Sequence, residues 1–189
     1  VDAATWDDRY AATDQLWSVT PNRFVEEQLA GLPPGRALDL ACGEGRNAAW
    51  LADKGWQVTA VDFSAVAVDR GRTARPGVDW QVADVLTYRP QESFDLVLIV
   101  YLQLPEAELA QVLGTAARAL SPGGTLLVVG HDRDNLEHGT GGPQDPAVLY
   151  TAAEITAALP GLRVLDARQV LRPVEPRSAI DTLVRAVAG

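Results

Sequence analysis

Cysteine, lysine and methionine are nearly missing from this chain. There is one cysteine, Cys42, one lysine, Lys54, and no methionine. A lone cysteine excludes an internal disulfide and any metal site built on several thiolates, and its scarcity leads us to expect a cytoplasmic protein with no bound metal. No run of about 18 apolar residues occurs, so no segment reads as a membrane-spanning helix. Positive charge is scarce too: 16 Lys+Arg stand against 25 Asp+Glu, a formal net charge of −9. Nucleic acid and anionic lipid are bound by neutralising phosphate. No basic cluster offsets the acidic balance, so neither is an expected partner. The preference for arginine over lysine, with plentiful alanine and glycine, reads as genomic composition. The missing methionine, initiator included, is expected if the numbering starts downstream of the natural start. The first ten residues, V-D-A-A-T-W-D-D-R-Y, are acidic and unlike a signal peptide.

What is present is a chain of 189 residues, 47% hydrophobic and 22% charged. That composition buries a core, and the length suits one domain. We expect a single domain over 1–189, with residues 1–30 an N-terminal helical lid segment and 36–189 the core. In the lid, Trp6, Tyr10, Trp17 and Phe24 are spaced through polar sequence. Trp6, Arg9 and Tyr10 share a helical face, which either packs on the domain or presents Arg9 and Tyr10 to a ligand. Pro21-Asn22 starts a helix running to about residue 30.

From residue 36 strands and helices alternate. Strands are expected at 37–41, 57–63, 78–83, 94–100 and 125–130, and helices at 46–54, 64–75, 106–120 and 152–159. Ser64 is the expected N-cap of the second of these helices. The run F-D-L-V-L-I-V at 94–100 is apolar throughout except for one acid, as in a central strand covered on both faces. Two closing strands, 163–171 and 179–187, have only P-V-E-P-R-S near their junction, so they form an antiparallel hairpin at one edge. The expected architecture is α/β: a seven-stranded, mostly parallel sheet with helices on both faces and that C-terminal hairpin.

The stretch R-A-L-D-L-A-C-G-E-G-R-N, beginning at Arg36, organises the rest. It is a strand, a glycine turn and a helix N-terminus, which together offer backbone N–H groups and a positive dipole end to a ligand. Ligands on such sheets bind beyond the carboxyl ends of the strands. Three of those ends carry an acid: Asp39 in the first strand, Asp62 closing the second, Asp84 after the third. Asp62 lies 19 residues after Gly43, near the roughly 20-residue spacing at which an acid meets ribose hydroxyls. Asp84 can accept from an adenine amino group, the Val85 N–H can meet a ring nitrogen, and Phe63 can cover an adenine face or serve the core. G-E-G-R-N-A also fits a pyrophosphate loop, but Asp39 and Glu44 suit a ligand bearing an ammonium or sulfonium better. Arg46 is either an ion-pair partner of Glu44 or Asp39, or a contact for a ligand carboxylate.

D-L-A-C-G-E-G-R-N (39–47), Asp62, Asp84 and P-G-G (122–124) resemble the class I S-adenosylmethionine-dependent methyltransferases, whose fold is Rossmann-like. W-D-D-R-Y (6–10) and G-R-N-A (45–48) resemble its tellurite-resistance, or thiopurine-methyltransferase-like, subgroup. The resemblance implies S-adenosyl-L-methionine as cofactor. It implies that Asp39 and the backbone at Gly43 and Gly45 hold the methionine part, Asp62 the ribose, and Asp84 with Val85 the adenine. Ala41, Glu44, Arg46, Asn47, Phe63 and Ser64 complete the expected cofactor set.

His131, ending the fifth strand, is the expected catalytic base, with the capping of its own strand as the alternative. His138 is a weaker candidate. Arg9, Tyr10, Tyr101, Gln103 and Arg177 are candidate acceptor contacts. A thiolate or other soft anion needs no base, whereas a hydroxyl or amine benefits from one. V-Y-L-Q-L-P after the fourth strand lacks the Asn/Asp-Pro-Pro-aromatic pattern of amino-methylating DNA enzymes. The expected acceptor is therefore a small molecule, a thiol or chalcogen oxyanion included, handled by a monomer or homodimer. The glycines of the 131–146 loop suit a mobile lid. A nicotinamide-dependent oxidoreductase and a non-catalytic cofactor-binding module remain the alternatives.

Overall fold

A computed structural model describes residues 2–13 and 19–189; Trp17 lies outside the described residues. The chain divides into two compact units, Val1–Leu98 and Ile99–Gly189. Its seven strands follow the order β3-β2-β1-β4-β5-β7-β6 in one sheet, mostly parallel with an antiparallel C-terminal pair. Among the described residues no helix is long and apolar enough to cross a membrane, and no cluster of His, Cys, Asp and Glu has the makings of a metal site.

The first unit carries α1 (Ala3–Ala11), α2 (Arg23–Leu29), β1 (Arg36–Leu40), α3 (Arg46–Asp53), β2 (Gln57–Asp62), α4 (Ala65–Ala74), β3 (Asp79–Val82) and the start of β4 (Phe94–Val100). β1 pairs in parallel with β2, and β2 with β3. Every residue of β4 except Asp95 is buried, as its apolar run requires. Helix starts follow their caps. Asn22 accepts from the Phe24 N–H and Ser64 from the Ala67 N–H, so the expected Ser64 cap is present. α1 packs on α4.

Gly45 has a structural reason that its place in the loop conceals. It opens α3 at φ 80, and a Cβ there would lie 2.0 Å from the Trp80 indole. A Cβ on Gly71, inside α4, would meet the same ring at 2.3 Å. Trp80 is 7% exposed, and its Nε1 donates to the Arg75 carbonyl. One indole from β3 is thus pressed between the loop after β1 and helix α4.

The second unit holds the end of β4, then α5 (Glu106–Ala119), β5 (Leu120–His131), α6 (Asn135–His138), α7 (Ala152–Ala157), β6 (Leu162–Val174) and β7 (Arg177–Ala188). β5 starts earlier than expected, taking in the Ser-Pro-Gly-Gly stretch, where Gly123 has φ 75; its segment from Thr125 to His131 pairs with β7. β7 is antiparallel to both β5 and β6. The hairpin strands are longer than expected because Pro173 sits on the edge strand, where a missing N–H does no harm, which confines the turn to Glu175 and Pro176. α7 opens on a capping box between Thr151 and Glu154.

The double contact on Trp80 is testable. Helix propensity favours Gly71→Ala by about 1 kcal/mol, whereas overpacking against a fixed ring costs about 1–3 kcal/mol. The close approach makes the second effect win, so Gly71→Ala should lower the thermal midpoint. In a Trp80→Leu background the same substitution should raise it. A thermal melt of the four proteins checks both signs.

Candidate functional site

In the first unit the strand ends are tied together by one carboxylate. Asp62, ending β2, accepts from the Gly43 N–H at 2.8 Å through Oδ2 and from the Ser64 N–H at 2.9 Å through Oδ1. Gly43 belongs to the loop after β1 and Ser64 caps α4, so Asp62 fixes both against its own strand. It is 5% exposed. Burial raises its carboxyl above the ordinary range, the Ser64 and Gly43 N–H groups hold it back, and the nearby Asp7 raises it again.

Asp39 lies within β1 and is 1% exposed. Its carboxyl is pushed up to about 7, first by burial and then by Asp62, against the pull of Arg46 and an Ala48 N–H. Its Oδ2 is buried without a hydrogen-bond partner. Ala41, the first residue beyond β1, takes a left-handed φ of 59 without being glycine, and Gly43 (φ 56) and Gly45 follow. A non-glycine in that region is uncommon and marks a backbone held in place by its surroundings. The Cys42 thiol is pushed well up by burial and by Asp39 and Asp62, so it stays protonated and is no nucleophile.

The remaining predicted positions divide. Phe63 is half-buried and Val85 buried, while Asp84 is exposed with Oδ1 accepting from the Leu86 N–H. Glu44 pairs with Arg70 at 2.9 Å, a partner the sequence does not suggest. The charge of Arg46 pulls the Asp39 carboxyl down. Asn47 also has a structural role, since its Oδ1 accepts from the Asn22 N–H at 2.9 Å. Ser64 donates to Asp7 at 2.5 Å, and the Val66 N–H reaches the same oxygen at 3.2 Å. Asp7 lies in the W-D-D-R-Y stretch, which had given it no role of its own. Tyr10 is buried and Arg9 exposed; the expected face exists, with the Arg9 guanidinium over Trp6 and the Trp6 and Tyr10 rings 5.8 Å apart.

The second unit gathers a different cluster. The register sets His131 of β5 opposite Asp181 of β7, and Arg172 of β6 opposite Ala179, two residues from Asp181 on the same face. Asp181 is fully buried. Its Oδ2 accepts from the Tyr101 hydroxyl at 2.6 Å and from Arg172 Nε at 2.8 Å. His131 Nδ1 lies 3.2 Å from Oδ1, in ion-pair range but off the axis of a hydrogen bond. Burial opposes the charge on Asp181, yet His131, Arg172 and Tyr101 outweigh it and hold the carboxyl below its ordinary value. Tyr101, at φ 60, ends β4 with its ring 4.9 Å from that of His131.

Gln103 accepts from the His131 N–H and donates to the Val148 carbonyl. Arg172 therefore enters the cluster where Arg177 was considered; Arg177 is exposed at the start of β7. His138 is exposed, with Glu137 as its ionic neighbour. The 131–146 loop is fastened, not slack. Asn135 donates to the Gly141 carbonyl and accepts from the Ile180 N–H, and Asp132 accepts from Thr182 and Gln169.

The methyltransferase-domain family matches residues 37–124, which span β1, the glycine loop, Asp62 and Asp84. The demethylmenaquinone methyltransferase of Renibacterium salmoninarum is 32% identical over 154 residues, covering 75% of this chain and 61% of its own. The chain spans about half to three-fifths of the length of the first curated relatives it matches. Among solved structures, the N-methyltransferase NodS from Bradyrhizobium japonicum WM9, in complex with S-adenosyl-L-homocysteine, has a TM-score of 0.77 at 18% identity, covering 99% of both chains. TehB from Haemophilus influenzae has 0.76 at 16%, covering 89% of this chain and 63% of its own. At these identities the likeness shows the fold.

An S-adenosylmethionine-type ligand fits the donor set of the first unit. Asp39 presents a buried oxygen with no partner, and Asp7, Asp39 and Asp62 outweigh the charge of Arg46. Such a surplus favours a cationic ligand and disfavours a pyrophosphate.

The raised Asp39 carboxyl fixes a pH dependence. The unfolded chain holds this proton only below about 4, while the folded chain holds it to about 7. Folding takes up the proton between those values, so stability falls as pH rises from about 4 to 7 and levels off above. Asp39→Asn keeps an oxygen for the Ala48 N–H and removes the titration. It should melt higher than the parent at pH 8 and lose that advantage at pH 4, as thermal denaturation at the two pH values would show.

Proposed function

We propose that this chain is an S-adenosylmethionine-dependent methyltransferase acting on a small molecule. The observation that carries the reading is the Asp62 carboxylate, buried at a strand end with one oxygen on the Gly43 N–H and the other on the Ser64 N–H. A carboxylate offers about four lone-pair directions, so two remain for a pair of ribose hydroxyls. Asp39 and the 43–45 loop would hold the cationic methionine part, with Arg46 on its carboxylate. Phe63, Asp84 and Val85 would meet the adenine. When bound, the cofactor supplies a methyl group activated on a sulfonium.

W-D-D-R-Y and G-R-N-A support the tellurite-resistance or thiopurine-methyltransferase-like subgroup, and with it a thiol or chalcogen oxyanion as acceptor. The acid surplus around Asp39 and Asp62 weighs against the nicotinamide alternative, whose ligand carries a pyrophosphate.

Calorimetric titration tests the reading. S-adenosylhomocysteine should bind and NAD(H) should not; the reverse would sink it. Asp62→Ala should weaken S-adenosylhomocysteine binding at least tenfold, since a charge-assisted hydrogen bond contributes about 1.5–3 kcal/mol. Unchanged affinity in a folded variant would remove Asp62 from the site.

A further inference from the structure

We infer that Asp7 of α1 tunes the charge preference of the ligand site: through Ser64 it sets a second carboxylate behind Asp62, which favours a ligand carrying a sulfonium over the same ligand with neutral sulfur. On the methyltransferase reading, on which this rests, those two ligands are S-adenosylmethionine and its demethylated form, S-adenosylhomocysteine.

Helix register brings Asp7 to the site. Ala3, Trp6, Asp7 and Tyr10 stand at i, i+3, i+4 and i+7 on the covered face of α1, while Asp8 and Arg9 are exposed. Asp2 fixes the start of that helix by accepting from the Thr5 N–H. At α4, Asp7 Oδ1 accepts from the Ser64 hydroxyl at 2.5 Å and from the Val66 N–H at 3.2 Å. Ser64 is fully buried, and its own N–H donates to Asp62 Oδ1 at 2.9 Å. One serine thus carries one carboxylate on its hydroxyl and another on its amide.

Capping alone does not call for a charge at Asp7. A neutral side-chain oxygen would accept from the same hydroxyl and N–H. The N-terminus of α4 favours a negative charge, but Asp62 already faces it. The charge of Asp7 works against that of Asp62, which burial opposes first. The hydrogen-bond partners of Asp7 among the described residues, the Ser64 hydroxyl and the Val66 N–H, carry no charge to offset it. Arg9 lies over the Trp6 ring, and Arg70 is matched by Glu44. Arg46 acts on Asp39, whose Oδ2 is buried without a partner. The site therefore holds more negative charge than its own cations balance, and a positive ligand relieves the excess.

Methyl transfer changes that balance. The acceptor's electron pair forms the new bond to the methyl carbon, the carbon–sulfur pair stays on sulfur, and the ligand loses one positive charge. The pull of Asp7 falls at that step, which favours release of the demethylated ligand. By reciprocity, the cationic ligand strengthens the docking of α1 more than the neutral-sulfur one does.

Asp7→Asn separates charge from anchoring, because its Oδ1 still accepts from Ser64 and Val66. Calorimetric titration of parent and variant with S-adenosylmethionine and with S-adenosylhomocysteine gives the ratio of the two affinities. The preference for S-adenosylmethionine should fall about three- to tenfold in Asp7→Asn, as for one unit charge acting across a partly screened site. An analogue with an ammonium in place of the sulfonium should follow S-adenosylmethionine. An unchanged ratio in the folded variant overturns the inference, whether both affinities hold or both fall together, as loss of a mere anchor would make them. The parent protein gives a second measurement if no Asp7 variant folds. Amide hydrogen exchange at Val66, whose N–H is held by Asp7, should be slower at saturation with S-adenosylmethionine than with S-adenosylhomocysteine; equal protection overturns the coupling. A parent that binds neither compound overturns the methyltransferase reading, and the ligand named here with it. Carbon-13 NMR of the Asp62 carboxyl then still decides whether Asp7 acts at the strand end. The Asp62 titration should move to lower pH in Asp7→Asn, and no movement would remove Asp7 from that role.

Discussion

One carboxylate bridging two backbone N–H groups holds the first unit's strand ends in place. Asp62 joins the loop after β1 to the cap of α4, two pieces that follow different strands. The cost is desolvation, visible in the raised carboxyl, and the two N–H groups offset part of it. Asp7 extends the arrangement: from α1 it accepts from the Ser64 hydroxyl and the Val66 N–H at the N-terminus of α4, where helix geometry favours a negative charge. The N-terminal helix is thus anchored at the same strand end that the glycine loop depends on.

Much of this was legible in the residues. Alternating apolar runs and capped helices gave the element order, because period and capping are local. The 19-residue spacing from Gly43 to Asp62 translated into a direct hydrogen bond. Gly45 was read as room for a ligand, whereas its missing side chain also accommodates the Trp80 indole; a contact from a distant strand leaves no mark in a local motif. The Asn47 bond to the Asn22 backbone went unread for the same reason. Asp181 and Arg172 went unread because antiparallel register, which pairs them with His131, is not written in spacing. A cue did exist. Asp181 is an acid inside the apolar strand A-I-D-T-L-V, the very pattern that drew attention to Asp39.

Backbone strain marks the same places. Ala41 and Tyr101 are the non-glycine residues with left-handed φ among the described residues, at 59 and 60. Each directly follows a strand, β1 in one unit and β4 in the other. Such a conformation costs about 1–3 kcal/mol and persists only where neighbours overdetermine it. After β1 the neighbours are the Cys42 N–H bonded to the Val61 carbonyl and the Gly45 N–H bonded to the Cys42 carbonyl. After β4 the Tyr101 N–H donates to the Val129 carbonyl while its hydroxyl reaches Asp181. In both units the strain aims a loop whose polar groups belong to a cluster of buried acids.

Those two clusters solve opposite electrostatic problems. In the first unit the acids outnumber their cations, Asp39 is held protonated to about 7, and its Oδ2 has no partner. Such a site gains from a positive ligand, which would replace the proton, and it resists a negative one. In the second unit the buried Asp181 is satisfied, with Arg172 Nε and Tyr101 on Oδ2 and Arg172 Nη2 and His131 beside Oδ1, and its carboxyl lies below the ordinary range. A group held that firmly in its charged form is a poor proton acceptor. It still lies 3.2 Å from the imidazole Nδ1 beside it. The unbalanced cluster therefore suits a positive ligand, and the balanced one holds its imidazole in place. The division follows from which strand carries the acid and how many donors its register brings within reach.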